Sequence, residues 1–201
     1  LMKKSISYSS RRSFLKKSLT ASSFLIVPRY VLGGNGYTAP SDRLSIASIG
    51  CGGKGSSDIA HASVNGRENV IALCDIHPSG SHGVVDSRKR FPKARFYTDF
   101  RELLSEEKDL DAVTISTPDH THGIIAKTAM ENKIHVYVQK PLTHNIKEAR
   151  LLTELARKKK VVTQMGNQGA SHPGQKYVQQ WIREKRIGNV SEVKVWTNRP
   201  V

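Results

Sequence analysis

The sequence predicts an α/β fold, a doubly wound parallel sheet with helices on both faces. Three observations carry that reading. From residue 41 onward, short apolar runs alternate with segments of helical periodicity, joined by short connections. The first run, Leu44-Ser45-Ile46-Ala47-Ser48-Ile49, turns through Gly50-Cys51-Gly52-Gly53-Lys54-Gly55 into a helical segment and returns as Asn69-Val70-Ile71-Ala72-Leu73-Cys74. An acid, Asp75, closes that return twenty positions after Gly55.

Strand, G-x-G-x-x-G, helix, strand and acid together form a dinucleotide-binding pattern, and each part has a physical task. Gly50 permits the tight turn, Gly52 lets a pyrophosphate approach the backbone, and Gly55 seats the helix close on the strand. The first N–H groups of the helix, at the positive end of its dipole, face the phosphates. The whole turn, Cys51, Gly53 and Lys54 included, is therefore a candidate cofactor-binding segment. Asp75, at the carboxyl end of the second strand, is placed to accept from the ribose hydroxyls. A carboxylate there repels a 2′-phosphate, so NAD is expected in preference to NADP. The phosphate loop of nucleotide hydrolases fails on spacing: with Gly53-Lys54 as its G-K pair, Ser48 stands where its first glycine belongs.

The remaining elements follow in order. A helix is expected over residues 81–90 and a short strand over 94–97. Asp99 then caps a helix reaching Glu107. The next strand, 111–116, should end at the crevice where open sheets bind ligands. It runs into Thr117-Pro118-Asp119-His120-Thr121-His122-Gly123, where Pro118 and Asp119 start a helix to about Asn132. His120 and His122, two apart on a helix, point away from each other, so no metal site is expected. The strand 134–138 delivers Gln139-Lys140-Pro141. Lys140 is thus a crevice residue, with a solvated surface lysine as the alternative that spacing leaves open. The helix 145–159 should bury Ile146, Ala149, Leu152, Leu155 and Ala156. A strand at 161–164 leads into Gly166-Asn167-Gln168-Gly169, a helix spans 173–185, and Gly188-Asn189 turns the chain into a final strand, 190–197.

Residues 1–40 read as an export signal and linker. A basic region containing Ser10-Arg11-Arg12-Ser13-Phe14-Leu15-Lys16-Lys17 precedes an apolar run, 19–32, broken by Pro28 and Arg29. That run is too interrupted to span a membrane stably, and the string matches a twin-arginine signal. A periplasmic or secreted location is expected. No clean A-x-A cleavage site is visible, which leaves a retained N-terminal anchor open. The formal charge of +15 drops to +8 once the seven basic residues of 1–41 are set aside. The basic runs at 88–90 and 158–160 lack interleaved aromatics, so no nucleic-acid partner is expected. Cys51 and Cys74 end neighbouring strands; small buried thiols are the favoured reading over a bridge.

Taken together, Gly50-Cys51-Gly52-Gly53-Lys54-Gly55, Thr117-Pro118-Asp119-His120-Thr121-His122, Gln139-Lys140-Pro141-Leu142, Gly166-Asn167-Gln168-Gly169 and Trp196-Thr197-Asn198-Arg199-Pro200 resemble the Gfo/Idh/MocA oxidoreductases, in their secreted, twin-arginine branch. The resemblance implies a Rossmann-type domain, 41–166, followed at 167–201 by the start of a truncated α+β open-sheet domain for substrate binding and oligomerisation. It implies hydride transfer between NAD and a sugar or cyclitol carbon. Thr117, Pro118 and His122 would line the cofactor, Lys140 would stand beside the nicotinamide as a catalytic group, and Asn167 and Gln168 would face substrate. Implied partners are a saccharide, the twin-arginine export machinery and, in the full-length form, further copies of the chain. The family commonly reads Glu-Lys-Pro where this chain has Gln139-Lys140-Pro141, a loss of charge that bears on the proton role of Lys140. The family's catalytic histidine comes later than any residue here, and neither Leu1-Met2 nor Val201 looks like a natural end, so a piece of a longer enzyme, inactive alone, is expected. Two alternatives remain: a glycosidase that recycles tightly bound NAD, and a non-catalytic NAD-binding module.

Overall fold

The computed structural model describes residues 38–80 and 83–196. The twin-arginine stretch, Ser81 and the last five positions lie outside them. The described part of a first unit, residues 38–44, holds one 3₁₀ turn, Pro40–Asp42, closed by the Asp42 N–H on the Ala39 carbonyl at 2.9 Å.

The second unit is an alternation of strands and helices. Six strands, β1 (Ser45–Ile49), β2 (Asn69–Cys74), β3 (Arg95–Tyr97), β4 (Ala112–Ile115), β5 (His135–Gln139) and β6 (Thr163–Gly166), pair in the order 3-2-1-4-5-6, every pair parallel. The helices are α1 (Gly53–Ala62), α2 (Val84–Arg90), α3 (Phe100–Glu106), α4 (His122–Glu131), α5 (Ile146–Lys159), α6 (Gln168–Ser171) and α7 (Pro173–Arg183). This is the doubly wound, Rossmann-type sheet that the alternation predicts. The central strands β1, β4 and β5 are buried along most of their length because helices cover both faces. Alternate residues of β1 show it: Ala47 and Ile49 join a core with Val113, Ile115, Ala126 and Leu152, while Ile46 joins Ile59, Leu73 and Val84 on the other side.

Local chemistry sets the helix starts. Asp99 accepts the Arg101 N–H and begins α3. Asn145 caps α5 by accepting the Glu148 N–H at 3.0 Å, and Glu148 accepts the His144 N–H in return, a reciprocal box. Three sequence expectations need correction. The helix expected from Pro118 begins at His122, because Asp119–Thr121 form a 3₁₀ turn first. Ile146 is 72% exposed rather than packed: it occupies the first helical position, whereas Leu152 two turns on reaches the core. Residues 190–196 form no strand; an extended run needs a neighbour to pair with, and none lies beside it among the described residues. On α7, Tyr177, Val178, Trp181 and Ile182 stand exposed.

The order reverses between β1 and β4, so connections leave these two strands to opposite sides and open a crevice at their carboxyl ends. Ile49 and Ile115 are in register there, and the Ser116 N–H donates to the Ile49 carbonyl at 2.9 Å.

Candidate functional site

A cavity of about 730 Å³ occupies this crevice. It brings together Gly50, Gly52, Gly53, Asp75, Thr117 and Pro118, all expected from the sequence. It adds Ile76, His77, Thr98, Phe100, Arg101 and Ile124, which sequence reasoning missed because no motif marks them.

The glycine turn is built as its spacing requires. Gly50 has φ +79°, a conformation L side chains rarely adopt, and a Cβ there would lie 2.8 Å from the Ser116 backbone carbon. Gly50 and Cys51 N–H groups both donate to the Cys74 carbonyl, at 2.8 and 3.2 Å, locking the turn to β2. The N–H groups of Gly53, Lys54 and Gly55 precede the first helical bond of α1, Ser56 N–H to the Gly52 carbonyl at 3.3 Å. Gly53 has open space where a side chain would stand. A free helix start beside a bare backbone suits a pyrophosphate.

Asp75 is held from two sides. Its Oδ2 accepts the Gly52 N–H at 3.2 Å and its Oδ1 accepts the His77 N–H at 3.2 Å. The carboxylate is thereby fixed where β2 ends, on the other side of β1 from the strand that leads to Thr117 and Pro118, with lone pairs left to accept further hydrogen bonds. The same wall carries Arg101, whose guanidinium is bound bidentately by Asp99, Nε to Oδ1 at 2.9 Å and the terminal nitrogen to Oδ2 at 2.8 Å. Arg101 holds the Asp99 carboxyl below the usual carboxylate range. These residues fit NAD: phosphate donors at one helix start, an oriented carboxylate for the ribose, and apolar walls.

Other expected site residues sit elsewhere. His122 does not line the cavity. It is fully buried, with Nδ1 2.7 Å from the Pro141 carbonyl and Nε2 2.8 Å from the Thr117 carbonyl. Both partners are acceptors; a neutral imidazole can donate to only one, an imidazolium to both. His122 therefore clips the Thr117 turn to the turn after β5 rather than touching a ligand. The Cys51 side chain points into the core beside Ile59 and Val84. Lys54 is exposed and pairs with Asp58, and Gly55, on α1, is buried against Gly50 and Ser116. Lys140 is exposed at the carboxyl end of β5, one strand beyond the cavity, and its peptide bond to Pro141 is cis. Asn167 and Gln168, exposed after the edge strand β6, are not drawn into the cavity. Among the described residues no group of three His, Cys, Asp or Glu side chains is arranged to hold a metal.

Cys51 and Cys74 are free and buried. Desolvation by burial, then repulsion from Asp75 in Cys51 and from Cys51 and Asp75 in Cys74, pushes both thiols from 9.0 up to about 12. A pKa raised on folding favours the neutral thiol, so this contribution to stability is whole below pH 9.0 and lost as pH climbs towards about 12. At about pH 8 the folded chain is expected to resist a disulfide-exchange reagent, and both thiols to react once denatured. Rapid reaction of either in the native chain would show that the crevice floor opens.

The geometry agrees with known proteins. A family model described as an oxidoreductase family with an NAD-binding Rossmann fold matches residues 44–167. A protein of Shewanella sp. (strain ANA-3), named Glycosyl hydrolase family 109 protein 1, is 28% identical over 168 residues, covering 73% of this chain and 36% of its own length. The solved structure of GenD2 from gentamicin A biosynthesis, in complex with NAD, superposes with a TM-score of 0.63 at 25% identity, covering 80% of this chain and 43% of that one. Scyllo-inositol dehydrogenase from Lactobacillus casei, solved with NAD(H) and scyllo-inositol, gives a TM-score of 0.62 at 19% identity over 73% of this chain and 43% of that one. The chain thus spans well under half the length of each. With the family model matching more than half of its residues, the chain belongs to the Gfo/Idh/MocA oxidoreductases through its NAD-binding Rossmann domain.

Proposed function

We propose that the chain is the NAD-binding part of an exported oxidoreductase that moves a hydride between a nicotinamide and a hydroxyl-bearing carbon of a sugar or cyclitol. The observation that carries the reading is the fixed Asp75 carboxylate in a cavity also lined by the glycine turn at the start of α1. Bound NAD supplies the hydride chemistry; this chain's residues bind it, orient it and set the local charge. The Gly53–Gly55 amides hold phosphate, Asp75 reads the ribose, and Thr117 and Pro118 line the same cavity from the β4 side. Lys140, one strand over, is the group that orients a substrate hydroxyl and assists its proton. The neighbour solved with scyllo-inositol supports the substrate class, and the twin-arginine string supports export. Residues 167–201 begin the substrate domain in this reading, with Asn167 and Gln168 at its entrance, and the full-length form assembles as a homo-oligomer.

A second reading is favoured by the curated relative named as a glycosyl hydrolase. In that reading the residues of this chain would hold an NAD that is recycled within one turnover, and a glycosidic bond would be cleaved without net redox change. Two measurements decide. Titrating the chain with NADH while following nicotinamide fluorescence should saturate, with NADPH bound at least about tenfold more weakly; no response to either would overturn the cofactor reading. In the intact protein, NADH that accumulates with sugar consumed marks the dehydrogenase, and sugar cleaved without NADH marks the glycosidase.

A further inference from the structure

One carboxylate braces three segments around the crevice. Asp58, on α1, has a side chain only 5% exposed. Its Oδ1 accepts from Lys54 Nζ at 2.5 Å, and its Oδ2 accepts from Ser116 Oγ at 2.8 Å and Gln139 Nε2 at 2.7 Å. Lys54 lies one turn earlier on the same helix, Ser116 follows β4, and Gln139 ends β5 immediately before Lys140. Gln139 is buried as well, and its Oε1 accepts the Lys140 backbone N–H at 3.3 Å. The amide can face only one way: an ionised carboxylate accepts and does not donate, so the NH₂ turns to Asp58 and the carbonyl to Lys140. Space around that amide is closed from the β6 side, where a Cβ on Gly166 would lie 3.1 Å from Gln139 Nε2.

We propose that Asp58 is the positioning residue for Lys140, acting through Gln139 and, through Ser116, holding α1 and the β4 exit in the same frame. This rests on the reading of the crevice as the NAD site and of Lys140 as the group beside the nicotinamide. Glutamine is the residue the arrangement needs at 139, because it donates to Asp58 and accepts from Lys140 at once. Glutamate there would set two carboxylates within hydrogen-bond distance of each other. Residues 58 and 139 thus form one unit, a carboxylate and an amide that face each other.

The test uses the full chain as Gln139→Glu and as the reciprocal Asp58→Asn/Gln139→Glu, with hydrogen-exchange protection of the Lys140 amide read by NMR at about pH 6 and about pH 8. In Gln139→Glu protection should fall about tenfold at the higher pH and recover at the lower, where the two carboxylates share a proton. In the reciprocal variant protection should return to within about twofold of the native chain at both pH values. A loss that is independent of pH, or one the reciprocal variant fails to repair, overturns the brace. If Gln139→Glu does not fold, the reciprocal variant decides alone: folded and protected supports the pair, unfolded or unprotected refutes it. NADH titration of the native chain runs alongside; absent binding with the exchange pattern intact removes the cofactor reading while the brace stands.

Discussion

Gly55→Ala is expected to abolish NAD binding and to lower the thermal midpoint by about 6 °C or more, from an overpacking cost of about 2–3 kcal/mol. A Cβ at Gly55 would overlap the Gly50 carbonyl oxygen, with the carbonyl carbon at 2.9 Å and Ser116 Cβ at 3.0 Å. None of these can move away. Gly50 is tied to β2 through the Cys74 carbonyl, and its own Cα has the Ser116 backbone against it. Relief would have to come from lifting α1 off β1, which carries the phosphate-facing amides out of line. Gly53→Ala is the contrast: its Cβ would meet open space, so its cost is the strain of φ +48° alone, about 1 kcal/mol. Differential scanning fluorimetry with an NADH titration separates the two. Equal effects, or a Gly55→Ala chain with native affinity, would mean that close seating of α1 does not shape the site.

That contrast also shows what was legible in the sequence. Spacing alone separates the packing glycine from the ligand-facing ones, because helix and strand geometry are local and fix which residue of a short turn meets which. The cap Asp99 was equally readable, since a side chain that bonds two residues onward needs no tertiary context. What the chain hid was set by packing between distant segments. His122 carries a motif yet spans two carbonyls, on Thr117 and on Pro141, that only the β4–β5 pairing brings to either side of it. Asp58 and Gln139 lie 81 residues apart and carry no signal of their own until the sheet sets them together. Ile146 fitted the helical stripe but sits beyond the edge of what the sheet covers. Residues 190–196 have strand composition but pair with no strand among the described residues, and composition says nothing about who pairs.

Asp75→Ala should weaken NAD by roughly tenfold to a hundredfold, the range for hydrogen bonds to a charged group of about 1.5–3 kcal/mol, and should narrow the preference over NADP. The alanine also frees the Gly52 N–H, so Asp75→Asn is the sharper probe: it keeps an acceptor for that N–H and removes the charge. If the charge excludes a 2′-phosphate, asparagine should gain NADP affinity while holding the turn. Arg101 on the same wall cannot help it, being already clasped by Asp99. Adding Asp99→Ala to Asp75→Asn releases that guanidinium into the cavity wall, and NADP should gain a further increment that shrinks as salt is raised, because an exposed charge pair is screened. Fluorescence titrations with NADH and NADPH at low and high ionic strength read all of this. A preference unchanged in Asp75→Asn would take the ribose role from Asp75, and a double variant no better with NADPH than the single would show that Arg101 stands too far from the ribose to answer it.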